Sequence, residues 1–250
     1  MKESKSSDQD FVIGFHSGME VLEHSDRDVN KVFIQKGLQD KRRQQIVRAC
    51  KKEGVTFQEV PKAKLDQLSD GGNHQGLVVA VAAYQYASLE ELFQRARDRE
   101  EDPFFLILDG IEDPHNLGSI LRTADAVGCH GLIIPERRAV GLTQTVAKTS
   151  TGAIEHVPVA RVTNLSQCVR QLKEAGVWVF GTDMKGQNYW QMDATLPLAL
   201  VIGNEGKGIS PGLKKHLDGT LTIPMRGHVQ SLNASVAAAL LMYQVYAKRF

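Results

Sequence analysis

The second half of the chain alternates short apolar runs with longer stretches of mixed polarity. Most of these runs are continuous, which is typical of strands covered on both faces by helices. They predict strands at 104–108, 131–134, 156–162, 177–181, 198–202 and 220–223. The stretches between and after them predict helices at 116–127, about 165–175, about 210–217 and 231–247. This alternation predicts an α/β fold with a doubly wound parallel sheet, whose ligand lies beyond the carboxyl ends of the strands.

The first part of the chain shows the same alternation over fewer residues. It predicts strands at 32–34, 55–57 and 77–81, and helices at 40–53 and from Pro61 onward. These elements indicate a small α/β domain over residues 11–86, separate from a larger domain over residues 104–250.

Residues 87–103 are expected to connect the two domains. Ser88 and Glu91 form a capping-box pattern, and the charged stretch after them stops at Pro103. We therefore expect a helical, solvated linker. Residues 1–10 are polar with acidic members, so they predict a disordered tail and not a signal or transit peptide.

The overall charge of the chain carries no signal for nucleic-acid binding. The 250 residues have a formal net charge of +1, so any basic surface must be local. Local clusters of lysine and arginine occur at 41–43, 48–52, 137–138 and 214–215. Each cluster suits a solvated face as well as a contact with phosphates.

The cysteines and histidines give no pattern typical of a metal site. Cys50, Cys129 and Cys168 are far apart and odd in number, and no histidine pair has zincin spacing. No apolar run reaches the length of a membrane span. We therefore expect a cytoplasmic protein with no metal and no membrane partner.

The segment VIGNEGKGIS, residues 201–210, follows a predicted strand as a phosphate loop does. It has Val201 where a Walker loop needs glycine, and Gly212 comes one position late for the dinucleotide fingerprint. Its glycines allow the backbone to approach a ligand closely, and Glu205 can reach a cationic or hydroxyl group. A glycine-rich turn with an exposed glutamate explains the same residues.

Two further segments follow predicted strands. After residue 109, Asn116 is a good N-cap for the next helix, a role compatible with ligand contact. Arg122 lies about 140° from Leu117 on that helix, so it projects away from the core as a solvated residue or a phosphate clamp. Near the C-terminus, Ser231 or Asn233 can cap the last helix, whose free N–H groups can hold an anion or a carboxylate.

Taken together, these segments resemble the SpoU/TrmH family of RNA 2′-O-ribose methyltransferases. The family's first motif has an asparagine and then an arginine six residues on, as Asn116 and Arg122 stand here. The other two motifs match LVIGNEGKGIS at 200–210 and IPMRGHVQSLNASVA at 223–237. NHQGLV at 73–78 resembles the L30e-like substrate-binding domain of the RlmB subgroup, which modifies a guanosine of 23S ribosomal RNA.

The resemblance implies a fold, a cofactor and partners. The C-terminal strands and helix would form the deep trefoil knot of the SPOUT, or α/β-knot, fold, which general connection rules exclude. S-adenosylmethionine would bind there, largely through backbone groups. Its sulfonium cation needs no phosphate cradle. The partners would be ribosomal RNA and a second copy of the chain, with each site using groups from both copies. The residues bordering the cofactor would be Gly203, Ile223, Leu232, Thr182 and Met225.

The resemblance also implies roles in catalysis. Arg122 would meet an RNA phosphate and favour the alkoxide of the ribose 2′-hydroxyl electrostatically. Since arginine stays protonated, a phosphate oxygen or a bound water would receive the proton. The residues positioning Arg122 and the ribose would be Asn116, Glu205, Ser231 and Asn233.

Other functions stay open from the sequence. One alternative is a transfer RNA ribose methyltransferase of the same family, although such members often lack the first domain. Another is an RNA-binding protein that keeps the fold but lacks catalysis. The presence of Arg122, Glu205 and Asn233 disfavours this alternative. A nicotinamide-dependent enzyme is disfavoured by the missing fingerprint.

Overall fold

The computed structural model describes residues 9–24, 28–228 and 231–250. The chain divides into two compact units, Met1–Gln85 and Tyr86–Phe250. The predicted disordered tail lies outside the described residues except for Gln9 and Asp10. For these two residues the prediction was wrong, because they begin a strand that pairs with Ala82 and Val81.

The first unit is a mixed sheet with helices. Its strands are β1 (Gln9–Ile13), β2 (Val29–Gln35), β3 (Phe57–Val60) and β4 (Leu77–Ala82), and its helices are α1 (Phe15–His24), α2 (Asp40–Lys52) and α3 (Lys62–Leu68). The strand order is β1-β4-β2-β3, with β2 and β3 parallel and β4 antiparallel to both of its neighbours. Apolar side chains of β2 and β4 form a core with α1 and α2, as expected for a small α/β domain.

Further features of this unit differ from the sequence prediction. The strand predicted at 55–57 begins only at Phe57, because the N–H of Val55 donates to the carbonyl of Cys50 at 2.9 Å and closes the turn after α2. The sequence did not predict α1, whose Gly18 weakens a helical pattern. A Cβ at Gly18 would lie 2.6 Å from the Leu77 side chain, so glycine allows α1 to pack closely on β4.

The second unit contains most of the chain. Its strands are β5 (Phe104–Asp109), β6 (Gly131–Pro135), β7 (Val159–Val162), β8 (Trp178–Asn188), β9 (Leu198–Gly203) and β10 (Gly219–Thr222). Its α-helices are α4 (Leu89–Asp98), α5 (Pro114–Ala126), α6 (Gln144–Ser150), α7 (Leu165–Glu174), α8 (Pro211–Lys214) and α9 (Ala234–Arg249). The 3₁₀ turns are Ala153–Glu155 and Tyr189–Gln191.

These strands form one parallel sheet in the order β10-β8-β9-β5-β6-β7. Phe105, Ile107 and Val201 pack on one face with residues of α4, α7 and α8. Alternate strand residues face the opposite side, where α9 packs on β9 and α5 packs on α9. The predicted doubly wound α/β fold is confirmed. The knot stays an implication of the family resemblance.

The linker interpretation of residues 87–103 was wrong for one face of the helix. The capping box is present, because the Ser88 hydroxyl accepts from the Glu91 N–H at 3.3 Å while the Glu91 carboxylate accepts from the Ser88 N–H at 2.6 Å. One face of α4, however, is not solvated, because Leu92 and Ala96 are buried there. Leu92 belongs to the core of the second unit. The dense charge of this stretch concealed that apolar stripe.

The first turn of α5 also differs from the prediction. Asp113, not Asn116, is the N-cap, and its carboxylate accepts from the N–H of His115 at 2.9 Å. Pro114 takes the first helical position, where proline needs no N–H partner. Asn116 is thereby placed inside the helix, with its buried side chain free for another role.

Candidate active site

The loop after β9 is a tight, internally bonded turn. The N–H of Gly208 donates to the carbonyl of Asn204 at 2.8 Å, and the side-chain oxygen of Asn204 accepts from the N–H groups of Gly206 and Lys207. A Cβ at Gly203 would lie 2.3 Å from the carbonyl carbon of Gly208. Only glycine therefore fits at position 203 without moving the loop.

This loop is joined to the loop after β5. The Asn204 amide donates to the carbonyl of Gly110 at 2.9 Å, and the Asp109 carboxylate accepts from the N–H of Ser210 at 2.7 Å. Since β5 and β9 are neighbouring parallel strands, both loops lie at the carboxyl edge of the sheet. The sequence prediction missed Asn204 and Asp109, although their positions directly after apolar strands could have indicated them.

Three predicted site residues form one hydrogen-bond network. The side-chain amide of Asn233 donates to the Asn116 oxygen at 2.9 Å, and the Asn116 amide donates to the Glu205 carboxylate. Asn116 is only 7% exposed, and both ends of its amide are satisfied, as buried polar groups require. The network joins α5, the loop after β9 and the start of α9.

Asn233 also caps α9. Its side-chain oxygen accepts from the N–H groups of Ser235 and Val236 at 3.0 and 3.4 Å. Of the two residues predicted as possible caps, Asn233 is therefore the cap. Ser231 precedes it on the exposed segment that leads into the helix.

A cavity of about 520 Å³ lies beside this network. Its walls come from β8, the loop after β9, the segment after β10 and the first turn of α9. The lining includes all five residues predicted to border the cofactor, which are Thr182, Gly203, Ile223, Met225 and Leu232. Glu205 and Ser231 line the same cavity. Their roles in binding stay predictions.

An ion pair that the sequence did not predict lies at the cavity. Lys214 pairs with the Asp183 carboxylate, and both residues line the cavity. The hydrogen bond from Lys214 lowers the pKa of Asp183, and the N–H of Lys185 adds to this effect. The pair joins β8 to α8 and so helps to hold one wall of the cavity in place.

Arg122 stands apart from the other predicted catalytic residues. It is exposed on α5, as its position opposite the core predicted, and within the described chain it has no hydrogen-bond or ion-pair partner. It is not among the residues that line the cavity. The structure therefore brings Asn116, Glu205, Ser231 and Asn233 to the site but leaves Arg122 outside the network.

The sequence matches family models over both units. The model of the SpoU rRNA Methylase family matches residues 103–243. The chain belongs to the SpoU methylase family. A second model, described as RNA 2′-O ribose methyltransferase substrate binding, matches residues 11–87. The family recognition is confirmed, whereas the RlmB-like subgroup stays a prediction.

Individual relatives agree with this family membership. A Bacillus subtilis (strain 168) protein named for the TrmH family of tRNA/rRNA methyltransferases is 55% identical over 98% of each chain. The SpoU methyltransferase AviRb from Streptomyces viridochromogenes, solved in complex with AdoMet, is 27% identical with a TM-score of 0.64, covering 97% of this chain and 91% of its own. The A. aeolicus TrmH/SpoU tRNA modifying enzyme is 30% identical with a TM-score of 0.55, covering 64% and 84%.

Over residues 9–24, 28–228 and 231–250, no three histidine, cysteine or acidic side chains are grouped as a metal site would require. In the same described part of the chain, no helix combines the length and hydropathy needed to cross a bilayer.

Proposed function

We propose that the chain transfers a methyl group from S-adenosylmethionine to a ribose 2′-hydroxyl of RNA, and that the substrate is a guanosine of 23S ribosomal RNA. The observation that carries the proposal is the network of Asn233, Asn116 and Glu205 beside a cavity that Glu205 itself lines. The description of the model matching residues 11–87 supports the ribose 2′-oxygen as the position modified.

The residues around the cavity fit S-adenosylmethionine. A volume of about 520 Å³ lies within the range of roughly 300–1,000 Å³ typical of small-molecule sites. Apolar side chains of Leu221, Ile223 and Leu232 line it and suit a flat adenine ring. The Glu205 carboxylate suits a sulfonium cation. The cofactor, when bound, supplies the activated methyl group, and AviRb with AdoMet supports this assignment.

The chain's own residues orient the ribose. Asn116 holds one Glu205 carboxylate oxygen, which leaves the other oxygen to accept a hydrogen bond from a ribose hydroxyl. Ser231 lines the same cavity and can contact the sugar. Because methyl transfer is an in-line displacement, this alignment contributes a large part of the rate.

Arg122 favours loss of the proton from the 2′-hydroxyl. Its guanidinium stabilises the developing alkoxide and contacts an RNA phosphate, while a phosphate oxygen or water accepts the proton. Since Arg122 does not line the cavity of its own chain, we propose that it completes the site of a second copy in a homodimer. The exposed apolar side chains of Val236, Leu240 and Tyr243 on α9 support that association.

Mixed dimers test this arrangement. The substitution Gly203→Val would displace the loop at the cofactor cavity, and Arg122→Ala would remove the guanidinium. Each variant alone should transfer methyl groups at least about 10²-fold more slowly than the wild type, whereas mixing the two variants should restore one competent site per mixed dimer. Failure of the mixture to regain activity, although mass spectrometry detects the mixed dimer, would contradict a shared site.

Ribosomal RNA is favoured over transfer RNA by the first unit. The tRNA modifying enzyme of A. aeolicus aligns with only 64% of this chain, whereas the substrate-binding model covers residues 11–87 in addition to the methylase match.

We place the reaction in the cytoplasm, where reduced thiols such as the free, buried Cys50, Cys129 and Cys168 persist.

The experiment that tests the proposed function is methyl transfer from labelled S-adenosylmethionine. Deproteinised 23S ribosomal RNA and bulk transfer RNA, both from a strain that lacks this protein, serve as parallel substrates. We expect one alkali-resistant 2′-O-methylguanosine in the 23S RNA and none in the transfer RNA. Labelling of transfer RNA alone would identify a transfer RNA methyltransferase. Binding of RNA without labelling would identify a non-catalytic RNA-binding protein.

A further inference from the structure

A second cavity of about 500 Å³ lies next to the cofactor cavity. The two share Asn204, Lys207 and Gly208 of the loop after β9. The other walls of the second cavity come from the ends of β5 and β6, the turn after β6 and the start of α7. We call this second cavity the RNA cleft.

Three cationic side chains line the RNA cleft. They are Arg137, Arg138 and Lys207, and all three are exposed. Among the described residues, none of them has a hydrogen-bond or ion-pair partner. By contrast, Lys214 at the neighbouring cavity is already paired with Asp183. Three unengaged cations in one cavity favour an anionic ligand.

The turn that carries the two arginines is held on both sides. Before it, the N–H of Glu136 donates to the carbonyl of Val162 at 2.9 Å. After it, the N–H of Val140 donates to the carbonyl of Ile111 at 2.9 Å. Between these anchors Arg138 has φ of +59°, which is uncommon for a residue other than glycine. The arginines are thus presented by an ordered turn.

Two acidic side chains limit where a phosphate can lie. Asp109 lines the RNA cleft, but its carboxylate already accepts from the N–H of Ser210 at 2.7 Å. Glu112 is exposed at the same cleft and disfavours a phosphate beside it. Its carboxylate suits a ribose hydroxyl or a base amino group instead. The mixture of three cations with hydrogen-bond acceptors matches a nucleotide chain better than a free anion.

We infer that the RNA cleft holds the sugar–phosphate backbone of the RNA strand next to the methylated nucleotide, with Arg137 and Arg138 on its phosphates. The shared loop places this strand beside the cofactor cavity, so the two arginines act as positioning residues for the ribose. The inference rests on the proposed function, since both concern the same RNA molecule.

The test compares three identical substitutions in the full chain. Arg137→Gln and Arg138→Gln each remove one charge from the cleft, and Arg170→Gln removes one from the exposed surface of α7 outside the cleft. The probe is unmodified 23S ribosomal RNA transcribed in vitro. Binding is measured as a function of salt, and methyl transfer is measured as KM for RNA, kcat and the Kd for S-adenosylmethionine.

We expect each cleft variant to raise the KM for RNA about tenfold, as loss of one charged hydrogen bond does, with the Kd for S-adenosylmethionine unchanged. The slope of log K against log salt should fall by about 0.7 for each lost contact to single-stranded RNA. Arg170→Gln should match the wild type in both. Cleft variants that bind RNA with the slope and affinity of Arg170→Gln would overturn the inference.

Failure of the proposed function gives a different result. If the wild type transfers no methyl group to any RNA, the proposed function is lost. The affinities and salt slopes of the cleft variants still decide whether RNA occupies the cleft.

Discussion

The side chain of Asn116 joins segments that lie far apart in the sequence. It accepts from Asn233 and donates to Glu205, so one buried amide sets the positions of a helix start and a loop. Burial makes the arrangement demanding, because a buried polar group without a partner is strongly unfavourable. At the residue scale, this amide is the point on which the geometry of the site depends.

Asn116→Ala is expected to weaken both the fold and the reaction. The substitution removes both hydrogen bonds of the buried Asn116 amide, each of which contributes about 0.5–1.5 kcal/mol, so the free energy of unfolding should fall by about 1–3 kcal/mol. Urea unfolding measures this loss, and labelled-methyl transfer should show a lower kcat. The matched change at exposed Asn30 should alter neither quantity. Wild-type kcat for Asn116→Ala would contradict the role of the network.

Arg122→Ala is expected to separate catalysis from cofactor binding. Loss of one group that stabilises transition-state charge lowers kcat by about 10²–10³-fold, whereas the side chain is exposed and does not line the cofactor cavity. Calorimetry should therefore show the wild-type Kd for S-adenosylmethionine. A loss of cofactor affinity equal to the loss of activity would show that Arg122 supports the cavity instead.

At the scale of elements, the start of α9 serves both the helix and the site. Asn233 accepts from two N–H groups of the first turn and donates to Asn116 with the same amide. Capping fixes the rotamer of the Asn233 side chain. Its N–H₂ group can therefore donate to Asn116 without a further loss of conformational entropy. A helix terminus thereby becomes part of the proposed catalytic arrangement.

Asn233→Ala should cost stability and activity together. Removing an N-cap lowers the free energy of unfolding by about 0.5–2 kcal/mol. Ser88→Ala provides the control, since Ser88 caps α4 with its own capping box and does not line the cofactor cavity. We expect both variants to unfold at lower urea concentration and only Asn233→Ala to lose methyl transfer. Equal activity in the two would mean that Asn233 is a helix cap and nothing more.

At the scale of the whole molecule, a buried histidine links the segment between α4 and β5 to the sheet. His130 is 1% exposed, its Nδ1 accepts from the Phe104 N–H at 3.0 Å, and its Nε2 lies 3.1 Å from Glu101. Burial lowers the pKa of His130 from 6.5 to about 4, although the charge of Glu101 acts in the opposite direction. The folded protein therefore holds this ring neutral at neutral pH.

This shift predicts how stability depends on pH. Because the folded pKa lies below the unfolded value, the contribution of His130 is complete above pH 6.5 and is lost as the pH falls toward about 4. His130→Asn should flatten the decline of the unfolding free energy across that window, and His156→Asn, at an exposed position, should not. Parallel curves for wild type and His130→Asn would contradict the assignment.

The division into two units predicts what a fragment retains. Tyr86 belongs to the second unit, where its hydroxyl accepts from the Leu142 N–H at 2.9 Å. A fragment of residues 86–250 should bind S-adenosylmethionine with the wild-type Kd and lose its selection of 23S RNA. Undiminished methylation of the same nucleotide by the fragment would show that residues 1–85 do not select the substrate.

The sequence predicted the strands of the second unit better than it predicted the helices and their caps. The parallel strands of the second unit followed from continuous apolar runs, since burial on both faces demands them. By contrast, the apolar stripe of α4 was concealed by charge, and α1 by Gly18. The N-cap of α5 was assigned to Asn116 and not Asp113, because both residue types cap helices well.

The sequence by itself determined the α/β class, the family and the segments that carry chemistry, because hydrophobic periodicity and short motifs are local properties. Only the tertiary structure decided that the Asn116 amide lies between Asn233 and Glu205, and that Arg137, Arg138 and Lys207 line one cleft. The physical reason is that such contacts depend on which strands are neighbours in the sheet. Strand order arises from packing of the whole chain, so it cannot be inferred from the spacing of residues within one segment.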